Sequence, residues 1–109
     1  MNELLSKKCI PCEGGTLPLS KDEIDVLHEQ VPEWVVSSDI KKISRAFKFK
    51  DFAEAMIFAN KIATVAEEEG HHPDLLVAWG KLGVELSTHA IGGLSENDFI
   101  LAAKIDALV

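Results

Sequence analysis

Three of the four histidines lie within one stretch of the chain, at His71, His72 and His89. Imidazole is the side chain best matched to proton transfer at neutral pH, so such a cluster suits general acid–base work. Glu67, Glu68 and Glu69 stand just before the pair, and nearby carboxylates favour the imidazolium form. The competing reading is a solvated acidic helix end followed by loop histidines, because clustered titratable groups mark a site in only a fraction of cases. Asp98 ends the run Ser95-Glu96-Asn97-Asp98. There an acid caps a helix N-terminus and meets its dipole, and its second oxygen is still free to meet a histidine.

The elements that must position these groups follow from pattern. Gly70 is suited to end a helix in the left-handed region, and Pro73 disfavours the helical region for His72. The pair therefore sits at a helix-to-strand junction. Alternation along the strand at 84–88 puts Val84, Leu86 and Thr88 on one face and Glu85, Ser87 and His89 on the other. A hairpin centred near residues 81–82 then brings His89 back beside Pro73 and the pair.

Around this junction the spacing predicts a helix over 20–30, capped by Ser20 and Glu23 with Ile24 and Leu27 inward. It predicts strands at 34–37 and 43–50, a helix over 51–69, strands at 75–79 and 84–88, and a last helix from Ser95 through Leu108. The stripe expected to face inward on the 51–69 helix is Phe52, Ala55, Met56, Ala59, Ile62, Ala63 and Ala66. The order α-β-β-α-β-β-α implies an α+β fold: a four-stranded antiparallel sheet with helices packed on one face. Residues 1–19, with Pro11, Gly14, Gly15 and Pro18, read as an irregular N-terminal arm, and residues 20–109 as a single α+β domain. The last helix is apolar over most of its circumference, which predicts packing against a partner chain as well as its own sheet.

Length and composition narrow the classes. A chain of 109 residues, 47% hydrophobic and 27% charged, is one globular domain. Its net charge of −7 argues against direct nucleic-acid binding. No apolar run approaches the roughly 18–20 residues of a membrane span, and the N-terminus lacks a secretory h-region. The expected location is cytoplasmic, with both cysteines reduced.

The pattern Glu67-x3-His71-His72-Pro73-x5-Trp79-x9-His89-x8-Asp98 resembles the signature of the pterin-4a-carbinolamine dehydratases, also known as dimerisation cofactors of a homeodomain transcription factor. The likeness in element order extends over about residues 20–108, and residues 8–15 resemble the N-termini of some bacterial members. The resemblance implies that residues 20–109 are a catalytic domain. Its reaction would dehydrate 4a-hydroxytetrahydrobiopterin to the quinonoid dihydropterin, recycling pterin after aromatic amino-acid hydroxylation, typically of phenylalanine. It implies no metal and no cofactor, the pterin being the substrate. By position, His71, His72 and His89 become the catalytic residues, with Glu67 and Asp98 supporting them. His72 is chiefly a pterin-binding residue, and Trp79 is carried over as a substrate-side position. A homodimer or homotetramer is implied, and the alternative function is a protein-interaction module of the same fold.

Other residues have plainer readings. Trp79 reads from the strand mainly as packing that shapes the cleft, and Trp34 reads as core. His28 reads as a surface residue. Cys9-x-x-Cys12 supplies two thiols, half of what a structural zinc site needs. A metal-binding module would have to join them to His71, His72 and His89.

Overall fold

The protein is described from a computed structural model over residues 3–10 and 16–109. Short polar side chains start its helices. Ser20 accepts the Glu23 N–H at 3.3 Å while the Glu23 carboxylate accepts the Ser20 N–H at 2.9 Å, opening α1 at Lys21–His28. A cap of this kind stabilises a helix by about 0.5–2 kcal/mol. Asp51 accepts the Glu54 N–H at 2.9 Å to open α2, Phe52–Glu69, and Gly70 ends it at φ 66°. Ser95 is the cap of α3, Glu96–Asp106.

Four strands make one antiparallel sheet in the order β1-β2-β4-β3. They are β1 (Val35–Val36), β2 (Ile43–Lys48), β3 (Asp74–Ala78) and β4 (Lys81–Leu86). Ile43 and Phe47 of β2 and Leu82, Val84 and Leu86 of β4 are buried beneath the helices, while Ala46 and Leu76 on the other face are exposed. The period-2 alternation of β4 thus divides core from outer face, and the α+β architecture with helices on one face is as expected.

Four details differ from the sequence reading. The first concerns the β3–β4 turn. Ala78 pairs with Lys81, so the turn is Trp79-Gly80, ahead of the expected centre at 81–82. Gly80 takes φ 70°, which a glycine adopts without steric cost. Gly83, which reads as a turn residue, lies inside β4 opposite Leu76. Trp79 is therefore at the hairpin tip and 75% exposed, at the opposite end of β3 from His72.

Second, the inward face of α2 is Ala55, Phe58, Ala59, Ile62 and Ala66, whereas Phe52, Met56 and Ala63 of the expected stripe face solvent. Phe58 wins because its ring packs against Phe47 and Phe49 of the sheet side, with centroids 5.0 and 5.3 Å away. Third, β1 is shorter than residues 34–37. Trp34 precedes it, fully buried, and donates its Nε1–H to Asp106 Oδ1 at 2.8 Å. Arg45 shares that oxygen at 2.6 Å.

Fourth, α3 needs no partner chain to cover it. Every residue from Asn97 to Ala103, and Ile105, is buried within the chain itself. The missing cover comes from the N-terminal arm, α1 and α2. The arm is not irregular throughout: Glu3–Ser6 forms a 3₁₀ turn, and Leu4 and Cys9 join the hydrophobic core. Among the described residues no helix is long and apolar enough to cross a membrane.

Candidate active site

Helix α2 runs straight into the site. Gly70 turns the chain out of the helix, the His71 N–H still bonds the Ala66 carbonyl at 3.2 Å, and Pro73 leads into β3. Across the sheet, Asp74 pairs with Glu85, so Thr88 and His89 at the end of the neighbouring strand return to the histidine pair. His89 opens a 3₁₀ turn, His89–Ile91, inside a loop closed by the Thr88 N–H on the Gly93 carbonyl at 2.8 Å. The result is an open cleft of about 360 Å³ on which His71, His72 and His89 meet Thr88, Asn97 and Ile10. With the turn two residues earlier than expected, the register extended beyond Asp74–Glu85 brings Thr88 and His89 opposite His71 and Gly70 instead of Pro73, still within reach of the pair.

Asp98 holds the site together. It is fully buried, with both oxygens engaged. Oδ2 accepts the Ser95 N–H at 3.0 Å, which is the helix cap, and the Thr88 hydroxyl at 2.8 Å. Oδ1 lies 2.6 Å from His71 Nε2. A carboxylate that already accepts two donors acts as an acceptor here too, so His71 carries its proton on Nε2 and keeps Nδ1 as the nitrogen not committed to Asp98. The capping and imidazole-orienting readings of Asp98 therefore describe one side chain, one oxygen to each role.

The other imidazoles are held more loosely. His72 Nε2 contacts Glu67 Oε2, but both side chains are well exposed, and such a pair contributes little to stability. His89 is exposed at the cleft rim. One largely covered, oriented imidazole thus faces two exposed ones.

Glu69 does not join the histidines. Burial pushes its carboxyl up, but hydrogen bonds from Lys104 and the Cys9 N–H, with the Lys104 and Lys8 charges, outweigh that and hold it below the usual carboxylate range. Its Oε1 accepts the Cys9 N–H at 2.9 Å and its Oε2 pairs with Lys104 at 2.7 Å. Burial first, and then the negative charge of Glu69, push the Cys9 thiol up to about 12. Cys9 is accordingly a buried thiol and not a ready metal ligand or nucleophile. Its sequence partner Cys12 lies outside the described residues. Among those residues no group of histidine, cysteine and acidic side chains is arranged to hold a metal ion.

Of the residues singled out by sequence, the structure gathers His71, His72, His89, Glu67 and Asp98 and leaves Trp79 apart at the hairpin tip. Any contact of Trp79 with this cleft would have to come from another chain. His28 is half-buried and caps the Trp34 carbonyl, so it is not a free surface residue. Sequence reasoning missed Thr88, Asn97 and Ile10. The alternation of β4 already turned Thr88 inward beside Asp98, and that was the available signal.

The sequence profile of the family described as Pterin 4 alpha carbinolamine dehydratase matches residues 17–108. A protein from Alkaliphilus metalliredigens is 54% identical over 110 residues, covering 97% of this chain and 96% of its own length. One from Rickettsia bellii is 56% identical over 106 residues, covering 96% and 93%. Both are provisionally named pterin-4-alpha-carbinolamine dehydratases. A Brucella melitensis crystal structure titled transcriptional coactivator/pterin dehydratase superposes with TM-score 0.78 at 33% identity, over 84% of this chain and 97% of that one. A pterin dehydratase-like protein identified as a RuBisCO assembly factor in the alpha-carboxysome shares the fold, with TM-score 0.60 at 23% identity over 70% and 88%.

Proposed function

The chain belongs to the pterin-4a-carbinolamine dehydratase family, and we propose that it dehydrates a 4a-hydroxytetrahydropterin such as 4a-hydroxytetrahydrobiopterin to the quinonoid dihydropterin. The observation that carries this reading is the cleft itself. Three imidazoles share it, and one of them is locked in orientation by a buried carboxylate.

The reaction asks for two proton movements. A protonated imidazole gives its proton to the 4a-hydroxyl, and the C4a–O bond breaks with its electron pair leaving as water. The proton on N5 passes to a neutral imidazole, and the electrons of that N–H bond form the C4a=N5 double bond. One proton is given and one is taken, so the net protonation of the protein is unchanged; the proton has moved from one imidazole to the other and returns through solvent before the next turnover, and the chemistry calls for no metal and no bound cofactor. His71 and His89 take the acid and base roles. His71 offers Nδ1, and Asp98 stabilises positive charge on the ring when it forms. His72, paired with Glu67 at the exposed side of the cleft, binds and orients the pterin. The reading places the protein in pterin recycling after aromatic hydroxylation, in the cytoplasm, as a homodimer or homotetramer.

The test is direct. The rate of 4a-hydroxytetrahydropterin dehydration in a coupled hydroxylase assay is compared with the spontaneous rate. Acceleration by wild type that disappears in a folded His71→Ala, His89→Ala variant is expected. No acceleration by wild type refutes the enzyme reading.

A second reading, a protein-interaction module, draws on one observation. Phe52, Met56 and Ile57 are exposed apolar side chains on the one helix α2, the kind of surface through which an interaction module can act. A pulldown recovering only further copies of the chain would exclude a foreign partner and leave self-association.

A further inference from the structure

The cleft has an apolar member that the histidine chemistry does not use. Ile10 of the N-terminal arm lines it beside His71, His72, His89 and Asn97. Its side chain is 69% exposed, yet its backbone is fastened on both polar groups. Asn97 Oδ1 accepts the Ile10 N–H at 3.0 Å, and Asn97 Nδ2 donates to the Ile10 carbonyl. One residue earlier, Glu69 accepts the Cys9 N–H at 2.9 Å, and the buried Cys9 Sγ lies 3.6 Å from the Asn97 carbonyl. Two helices thus spend three side-chain hydrogen bonds on holding a two-residue segment whose apolar side chain remains in water.

Immobilised backbone beneath an exposed branched side chain is the arrangement of a preorganised contact. The ordering cost is met before a ligand arrives, and the apolar surface is covered only when one does. A pterin offers the complement, a flat bicycle with polar edges and apolar faces. The family profile begins at residue 17, so Ile10 lies outside the part of the chain that the profile matches.

We propose that Ile10 is a substrate-contacting residue that packs on a face of the pterin ring and sets its affinity, and that Asn97 is the positioning residue that holds it there. This rests on the dehydratase reading above. The arm is then a working wall of the site.

The test is steady-state kinetics on the full chain with Ile10→Ala, Ile10→Leu, Asn97→Ala and the Ile10→Ala, Asn97→Ala double variant. Ile10→Ala raises KM about three- to tenfold, below the effect of an enclosed pocket because this cleft is open. The loss falls mainly on KM, Ile10→Leu recovers most of it, and the thermal midpoint stays at the wild-type value because the side chain is solvent-exposed. Asn97→Ala also raises KM, but in the Ile10→Ala background its effect on KM disappears, the coupling expected of a residue acting through another. A wild-type KM for Ile10→Ala, in an enzyme that is otherwise active, overturns the role of Ile10. Additive KM effects overturn the positioning role of Asn97. Absence of catalysis in wild type refutes the parent reading and this inference with it. Because the Ile10 side chain is mostly exposed, Ile10→Ala keeps its fold, and a folding failure of Asn97→Ala leaves the Ile10 outcome decisive.

Discussion

Replacing Asp98 by Asn is the sharpest perturbation of the site. The two side chains have the same shape, so the helix can keep its cap. With the amide oxygen in the Oδ2 position, the Ser95 N–H at 3.0 Å and the Thr88 hydroxyl at 2.8 Å retain their acceptor. The amide NH₂ must then occupy the Oδ1 position, 2.6 Å from His71 Nε2. Two donors cannot face each other, so the imidazole moves its proton to Nδ1, the nitrogen otherwise free for exchange with substrate. Positive charge on the ring also loses its anionic partner. A hydrogen bond to a charged group is worth about 1.5–3 kcal/mol. If the partner matters fully in the transition state, kcat falls about 10- to 150-fold. Stability changes far less, by about 0.3–1 kcal/mol for the lost charge at the helix N-terminus. Stopped-flow dehydration, corrected for the spontaneous rate, reads the first quantity, and urea denaturation reads the second. Nitrogen-15 shifts of the His71 ring report the tautomer. A folded Asp98→Asn protein with wild-type kcat and the proton still on Nε2 would refute the reasoning.

Three further outcomes follow from contacts outside the histidine cluster. Glu69 is held below its ordinary value in the folded state, so its contribution is fully present above the unfolded value near 4.5 and fades as pH falls through the folded one. Glu69→Gln should therefore cost about 1–3 kcal/mol in urea at pH 7, with the deficit shrinking below about pH 4.5; a deficit equal at pH 7 and pH 3.5 would contradict this. Cys9, buried and pushed up to about 12, should resist iodoacetamide at pH 8 until the domain unfolds, as read by peptide-resolved mass spectrometry; rapid labelling of the native protein would count against the packed arm. Gly80→Ala puts a Cβ 3.1 Å from the Phe49 carbonyl at φ 70° and should lower stability by about 1–2 kcal/mol. Gly83→Ala meets the Leu76 Cβ at 3.7 Å and the Leu76 carbonyl at 4.0 Å, ordinary contacts, and should be neutral or mildly stabilising, whereas a turn centred near 81–82 would demand the reverse.

Much of this was legible because local chemistry and global fold agree. Ser20 and Gly70 mark helix ends by mechanisms that act within a few residues, and the structure uses each as read. Antiparallel pairing about the second hairpin carried His89 to the histidine pair, since the start of one strand must adjoin the end of the next. What failed were choices between similar local options settled by distant partners. Phe52, Met56 and Phe58 are equally apolar, and only the rings of Phe47 and Phe49 decide which of them turns inward. Gly80 and Gly83 both read as turn residues until Ala78 is known to pair with Lys81. The apolar circumference of α3 suggested a second chain because the arm carries no periodic signal. Its attachment depends on Asn97 and Glu69, both far away in sequence.

The two oxygens of Asp98 have a consequence for how this protein can change over generations. One oxygen starts α3 and the other fixes the imidazole, so the first turn of a buried helix and the orientation of the His71 ring share a single carboxylate. On the dehydratase reading proposed above, a substitution that repacked α3 and slid its start would be read at once as lost turnover, long before the domain melted. Drift in the core is thereby exposed to selection on activity. Stabilising changes can accumulate on α1, on the outer face of the sheet or on the exposed side of α2, but near residue 98 improvement of the fold and preservation of the chemistry are the same constraint.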